Sequence, residues 1–143
     1  MINIRFANID DIKKVFDLSN DDLVRKNSIH KEKLEWESHI EWFYKRIVKQ
    51  DEPFYIVEDE NKNFIGQVRI DKSNNEYIIS VSILPEFRGQ GFAPTIIKEA
   101  VKKSKLKNIT AYIYIDNVSS IKSFEKAGFK NSGLQKFEYY TNS

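Results

Sequence analysis

Three β-rich runs in quick succession, then a proline, a glycine loop and an amphipathic segment, leave this chain few folds to choose from. Phe54 to Glu58, Phe64 to Asp71 and Tyr77 to Leu84 are separated only by the polar turns Glu60-Asn61-Lys62-Asn63 and Ser73-Asn74-Asn75. Turns this short join antiparallel neighbours, so the runs read as a meander. In the third run Ile79, Val81 and Ile83 share one face, and Ser80 and Ser82 the other. Pro85 stops it. A helix follows, with Ile96, Ile97, Ala100 and Val101 inward and Lys98, Lys102, Lys103 and Lys105 mostly outward; another β-rich run spans Ile109 to Ile115. Strand, helix, strand in that order requires a crossover and a parallel pair. The expected fold class is therefore α/β (α+β): a mixed sheet with an antiparallel N-terminal meander, a parallel pair, and helices on both faces.

The flanking segments fit this plan. Ile2, Ile4 and Phe6 alternate as an opening strand. Ile9, Ile12, Val15, Phe16 and Leu18 follow at helical spacing, and residues 19–35 read as a loop with one or two helical turns. Trp36, Ile40, Phe43, Ile47 and Val48 form the stripe of an amphipathic helix that ends by Pro53. Asn117 to Lys126 reads as a helix closed near Gly128, and Leu134 to Tyr140 as a last strand. The 143 residues make one domain, 1–143, with no linker or repeat. Net charge is +2, from 23 basic and 21 acidic side chains, which gives no case for a nucleic-acid partner. The absence of cysteine removes disulfides, thiolate nucleophiles and Cys-ligated zinc, and no metal site is expected. No apolar run nears the roughly 20 residues that span a bilayer, so the expectation is a cytoplasmic protein without a membrane partner.

The segment Arg88-Gly89-Gln90-Gly91-Phe92-Ala93 lies between strand and helix. A helix N-terminus offers unpaired N–H groups and partial positive charge, and glycines let a ligand approach the backbone. Such a loop suits a pyrophosphate, with Arg88 adding charge at its mouth, although two glycines equally make a plain tight turn. About 25 residues on, Asn117, Ser120, Phe124, Gly128 and Phe129 stand in the order N-x-x-S-x-x-x-F-x-x-x-G-F. Together the two segments resemble the GNAT N-acetyltransferase superfamily, whose loop pattern is met by Arg88, Gly91 and Ala93 and whose later pattern is met by Asn117 and Ala127-Gly128-Phe129. The resemblance implies acetyl-CoA as co-substrate, its pyrophosphate on the amides after Arg88 and its pantetheine arm between splayed strands ending near Leu84 and Ile115. The implied cofactor residues are Ile83, Leu84, Arg88, Gly89, Gln90, Gly91, Phe92, Ala93, Asn117, Ser120 and Phe124.

Acetyl transfer needs a neutral amine, a donor for the thioester oxygen and a proton for the leaving thiolate. In many relatives the acid is a tyrosine at the position of Phe124, and phenylalanine donates no proton. Tyr139 and Tyr140 are stand-ins, as is water; Glu76, His39 and Asp71 are candidates for the base. For the acceptor, the 19–43 segment and Gly66-Gln67-Val68-Arg69 are similar to GNAT enzymes that acetylate nucleotide-linked amino-sugars. That likeness assigns Arg25 and Arg69 to phosphates, Trp42 or Trp36 to stacking, and Gln67 to the same strand face as Arg69. Other acceptors remain open: a protein N-terminus, an antibiotic amine, or a polyamine, to which Glu32, Glu35, Glu37 and Glu41 would lend carboxylates. So does a different class, a non-catalytic acyl-CoA sensor. The expected partner is a small-molecule amine, met by a monomer or homodimer.

Overall fold

The structure, a computed structural model, describes residues 1–140. Strands β1 (Ile2–Phe6), β2 (Phe54–Asp59), β3 (Phe64–Ser73) and β4 (Glu76–Ile83) pair antiparallel in turn. β4 meets β5 (Asn108–Tyr112) in parallel, and β7 (Lys136–Tyr140) and β6 (Lys130–Gly133) complete the sheet antiparallel. The order is β1-β2-β3-β4-β5-β7-β6. The meander and the parallel pair expected from the turns are thus both present. The crossover between β4 and β5 is helix α4 (Phe92–Ser104).

Strand alternation divides the molecule into two faces. On one, Tyr55, Val57, Val68, Ile70, Ile79, Ile109, Ala111 and Phe137 pack beneath α4 and α5 (Val118–Lys126), against Ile96, Ile97, Ala100, Val101, Phe124 and Ala127. On the other, Phe54 and Ile56 pack beneath α1 (Ile12–Ser19) and α3 (Trp36–Ile47), against Val15 and Phe43. The second face continues through Gln67, Arg69 and Asp71 on β3, paired respectively with Ser82, Ser80 and Ile78 on β4. Gly66 is required at its position, because a Cβ there would stand 2.3 Å from the Ser82 carbonyl oxygen.

The helical turn expected within 19–35 is Asp22–Lys26, α2, which the Asp21 side chain caps by accepting from the Leu23 and Val24 amides. One local difference from the sequence expectation has a simple cause. The C-terminal region contains two strands rather than one. Lys130–Gly133 pairs with Lys136–Glu138 through a turn holding Leu134, which is 81% exposed. Every residue of β6 is exposed, so it carries no apolar alternation to announce it.

Candidate active site

Gly89 and Gly91 adopt φ angles of 74° and 81°, in the left-handed region that favours glycine. A Cβ on either would meet nothing within 4 Å, so both face open space. The amides of Gly89, Gln90 and Gly91 have no acceptor among the described residues. α4 then begins with no side-chain cap, leaving its first-turn N–H groups free as well. Pro94, in that first turn, gives up an N–H the helix would not have used. Unspent donors facing open space at the start of a thirteen-residue helix fit an anionic diphosphate. The Arg88 guanidinium does not supply the charge expected at the mouth. It donates from Nε to the Ile83 carbonyl at 2.9 Å and pairs with Asp21 at 2.6 Å. Burial alone would raise the Asp21 carboxyl, but Arg88 and the two capping amides outweigh it and hold the group below its ordinary range.

The gap that would take the rest of a CoA molecule lies between β4 and β5. Their register is held at one pair, Ile78 with Thr110, and no further partners are paired toward Ile83 and Tyr112. Ile83 and Leu84 form one lip of this gap; Tyr114 and Ile115 follow β5 at the other. Asn117 caps α5 by accepting from the Ser120 amide at 3.4 Å, which places both on the β5 side. Phe124 is 5% exposed and meets Phe129 edge-on, with centroids 5.0 Å apart.

On the helix-α1 and α3 face, the expected residues separate into those that meet and those that do not. Arg69 stands over the Trp42 ring at 5.1 Å, with Nε 3.5 Å from Asp71. Burial lowers the Arg69 pKa, countered in part by Asp71. Asp71 is shared with buried Arg46, whose Nε lies 2.8 Å away. Gln67 is buried and donates to the Ser19 hydroxyl at 3.2 Å, leaving Oε1 unpaired among the described residues. Arg25 is elsewhere engaged: it donates to the carbonyls of Ser19, His30 and Glu32 and so ties α2 to the following loop. His39 is 3% exposed amid Phe16, Trp36, Trp42 and Phe43, its Nε2 3.0 Å from the Ile12 carbonyl. It is a packed imidazole that faces no open surface.

Tyr139 lies on the opposite face, packed against Phe129 and opposite Ile109 at the start of β5. Tyr140 pairs with Asn108 at the same end. Neither reaches the gap's open end. Glu32, Glu35, Glu37 and Glu41 are all exposed. Glu76 behaves differently. Both its carboxylate oxygens accept from the Tyr112 hydroxyl, at 2.7 and 3.0 Å, and Lys136 stands 3.5 Å away. The Tyr112 hydrogen bond, then the charge of Lys136, holds Glu76 below the ordinary carboxylate range. Tyr112 escaped the sequence reading: it fell within the Ile109 to Ile115 run, and nothing in the pattern announced a partner 36 positions away. No group of three or more potential metal ligands, and no helix long and apolar enough to cross a membrane, occurs among the described residues.

A profile of the GNAT acetyltransferase domain matches residues 2–130. The chain is 32% identical over 111 residues to a spermidine N(1)-acetyltransferase of Vibrio cholerae, a match covering 71% of this chain and 63% of that protein. This chain therefore spans a little under two thirds of that relative's length. A Bacillus subtilis protein assigned as a phosphinothricin acetyltransferase is 27% identical, over 93% of this chain and 86% of its own length. In three dimensions the fold matches that of Vibrio cholerae spermidine N-acetyltransferase in complex with CoA and spermine, with a TM-score of 0.84 at 22% identity over 96% of this chain and 92% of that one.

Proposed function

The chain belongs to the GNAT acetyltransferase family, whose donor is acetyl-CoA, and we propose that it acetylates a primary amine of a small molecule, a polyamine being the first acceptor class to test. The observation that carries the acetyl-CoA reading is the row of unspent amides from Gly89 to Gly91, facing open space beside a parted parallel pair. The polyamine reading draws on the spermidine enzyme among the relatives and on the partly exposed carboxylate of Glu76 on the face opposite α4, where a cationic acceptor would find it. The nucleotide-linked amino-sugar loses its support: the relatives named above are spermidine and phosphinothricin enzymes, and Arg25, one of its two phosphate ligands, spends its donors on loop carbonyls.

One observation favours a second reading. Arg46 and Arg69 share a single carboxylate, Asp71, and the terminal nitrogens of Arg69 have no hydrogen-bond partner among the described residues. A residual positive charge beside Trp42 suits an amine that also bears an anionic group. Thiol release from acetyl-CoA, measured with spermidine, spermine, amino acids and a peptide N-terminus, separates these cases. Release with the polyamines supports the first reading. Release only with anion-bearing amines, together with an Arg69→Ala rise in acceptor KM of about tenfold or more, supports the second. CoA binding with no release from any amine would overturn both and indicate an acyl-CoA sensor.

A further inference from the structure

We propose that the Lys31 ammonium occupies the seat of a substrate cation: the carbonyls of Lys26 and Ser28 and the face of Tyr114 form a subsite for the second ammonium of a polyamine acceptor, which displaces Lys31. This rests on the polyamine reading above. The carrying observation is the way Lys31 is held. Its Nζ donates to the Lys26 and Ser28 carbonyls at 2.9 and 3.1 Å and to the Tyr114 hydroxyl at 3.4 Å, and it stands 4.5 Å from the centre of the Tyr114 ring. An ammonium has three protons to donate, so these three acceptors satisfy it. The other contacts of lysine and arginine with rings among the described residues lie between 5.1 and 6.0 Å, so Lys31 is seated on its ring more closely than any of them.

All four of these partners are neutral. Carbonyls, a hydroxyl and an aromatic face recognise an ammonium by its charge and its protons, and nothing in them is particular to a lysine of this chain. Lys26 ends α2, and its carbonyl is one of those that a helix leaves unpaired at its negative end. The Tyr114 hydroxyl in turn donates to the Ser28 carbonyl at 3.4 Å, which keeps ring and carbonyl together whether or not Lys31 is in place. Lys31 itself is exposed, so on leaving the seat its ammonium passes directly into water. Holding so long a side chain in one geometry costs rotamer freedom, which its release returns.

The seat also lies where a second nitrogen would fall. Tyr114 follows β5 at the lip of the gap. Ala111 and Ile113 are buried, and Tyr112 and Tyr114 are not, so the two tyrosines share the face opposite α4. Tyr112 holds the Glu76 carboxylate on that face. A polyamine lying along this edge, with one amine at the gap, meets both a carboxylate and a cation seat. Its next nitrogen is protonated at neutral pH, as alkylamines are, and takes the place of the Lys31 Nζ with no change of charge in the seat. A monoamine has no second ammonium to offer, so Lys31 competes with diamines and polyamines alone.

The test measures thiol release from acetyl-CoA with putrescine and with its monoamine counterpart, butylamine, together with calorimetric titration of spermidine into the CoA-bound protein. The titration carries the test where butylamine turns over too slowly to read. Lys31→Met empties the seat. The ratio of kcat/KM for putrescine over butylamine should then rise about fivefold or more, and the spermidine Kd should fall by a similar factor, the size of one cation–π contact. Lys33→Met removes the same charge from the same exposed segment without emptying the seat, and should shift either readout by less than about twofold. On the Lys31→Met background, Tyr114→Phe keeps the ring and should retain most of the gain, whereas Tyr114→Leu should cancel it. The melting temperature of each variant checks that it is folded. An unchanged ratio and Kd in Lys31→Met, an equal gain in Lys33→Met, or a gain that survives Tyr114→Leu would overturn the subsite while leaving polyamine acetylation standing. No release with putrescine or spermidine in the unaltered protein would overturn the polyamine reading and the subsite with it.

Discussion

At the scale of single residues, chemistry is decided by what each side chain already holds. His39 and Glu76 both qualify as bases by residue type, yet one is sealed among aromatic rings and the other is partly exposed, bonded to a phenol. Burial lowers the His39 pKa from the ordinary 6.5, and the bond to the Ile12 carbonyl only partly counters it. The unfolded chain therefore takes up a proton below about pH 6.5 that the folded protein refuses, so stability is complete above that pH and falls as pH drops. His39→Phe keeps the ring packing and removes the titration. Melting temperature should decline between pH 7 and 5 in the unaltered protein and decline less in His39→Phe; equal declines would place the sensitivity elsewhere. Arg25 shows the limit of reading residues from sequence. A family likeness suggested phosphate binding, but its partners are backbone carbonyls at the end of α1 and in the following loop, whose directions no side-chain pattern records.

At the scale of elements, the segment from Asp21 to Lys31 is a strap fixed to both lips of the gap. At the β4 lip, Asp21 pairs with Arg88, which also holds the Ile83 carbonyl. At the β5 lip, Lys31 stands 4.5 Å from the centre of the Tyr114 ring and donates to its hydroxyl. Arg88 thus ties this segment to the end of β4, a contact that its place in the motif did not suggest. A charged hydrogen bond of this kind contributes about 1.5–3 kcal/mol. Arg88→Met should therefore speed amide exchange across Leu23–Ser28 by about tenfold or more. Because the Asp21 carboxyl is held below its ordinary range, the link is whole above about pH 4 and lost as pH falls through the lowered value, so the unaltered protein should approach the variant's exchange rate there. Matching exchange rates at neutral pH would contradict the strap. Elements with an apolar period, such as α3, α4 and the meander, were legible in the sequence to within a residue or two. α2 depends on the Asp21 cap more than on periodicity, and β6 has no buried residue, so neither announced itself fully.

At the scale of the whole molecule, one sheet separates two tasks. The face beneath α4 and α5 carries the larger apolar core and leads to the glycine loop; the other leaves Arg69 and the Glu76–Tyr112 pair partly uncovered. This division was legible from strand alternation and the order of elements, because both follow from local periods. The pairing of residues across the sheet was not, because register is fixed by the folded strands together. The central claim is that the loop after Arg88 holds the donor. Calorimetric titration with acetyl-CoA of the unaltered protein, Gly91→Ala and Gly91→Trp tests it, the alanine measuring the backbone cost at φ 81° and the tryptophan adding bulk in the open space beside the loop. The account predicts binding at one equivalent, a loss of less than about tenfold for alanine, as expected of roughly 1 kcal/mol of backbone strain, and no measurable binding for a folded tryptophan variant. Acetyl-CoA affinity in Gly91→Trp equal to that of the unaltered protein would contradict it.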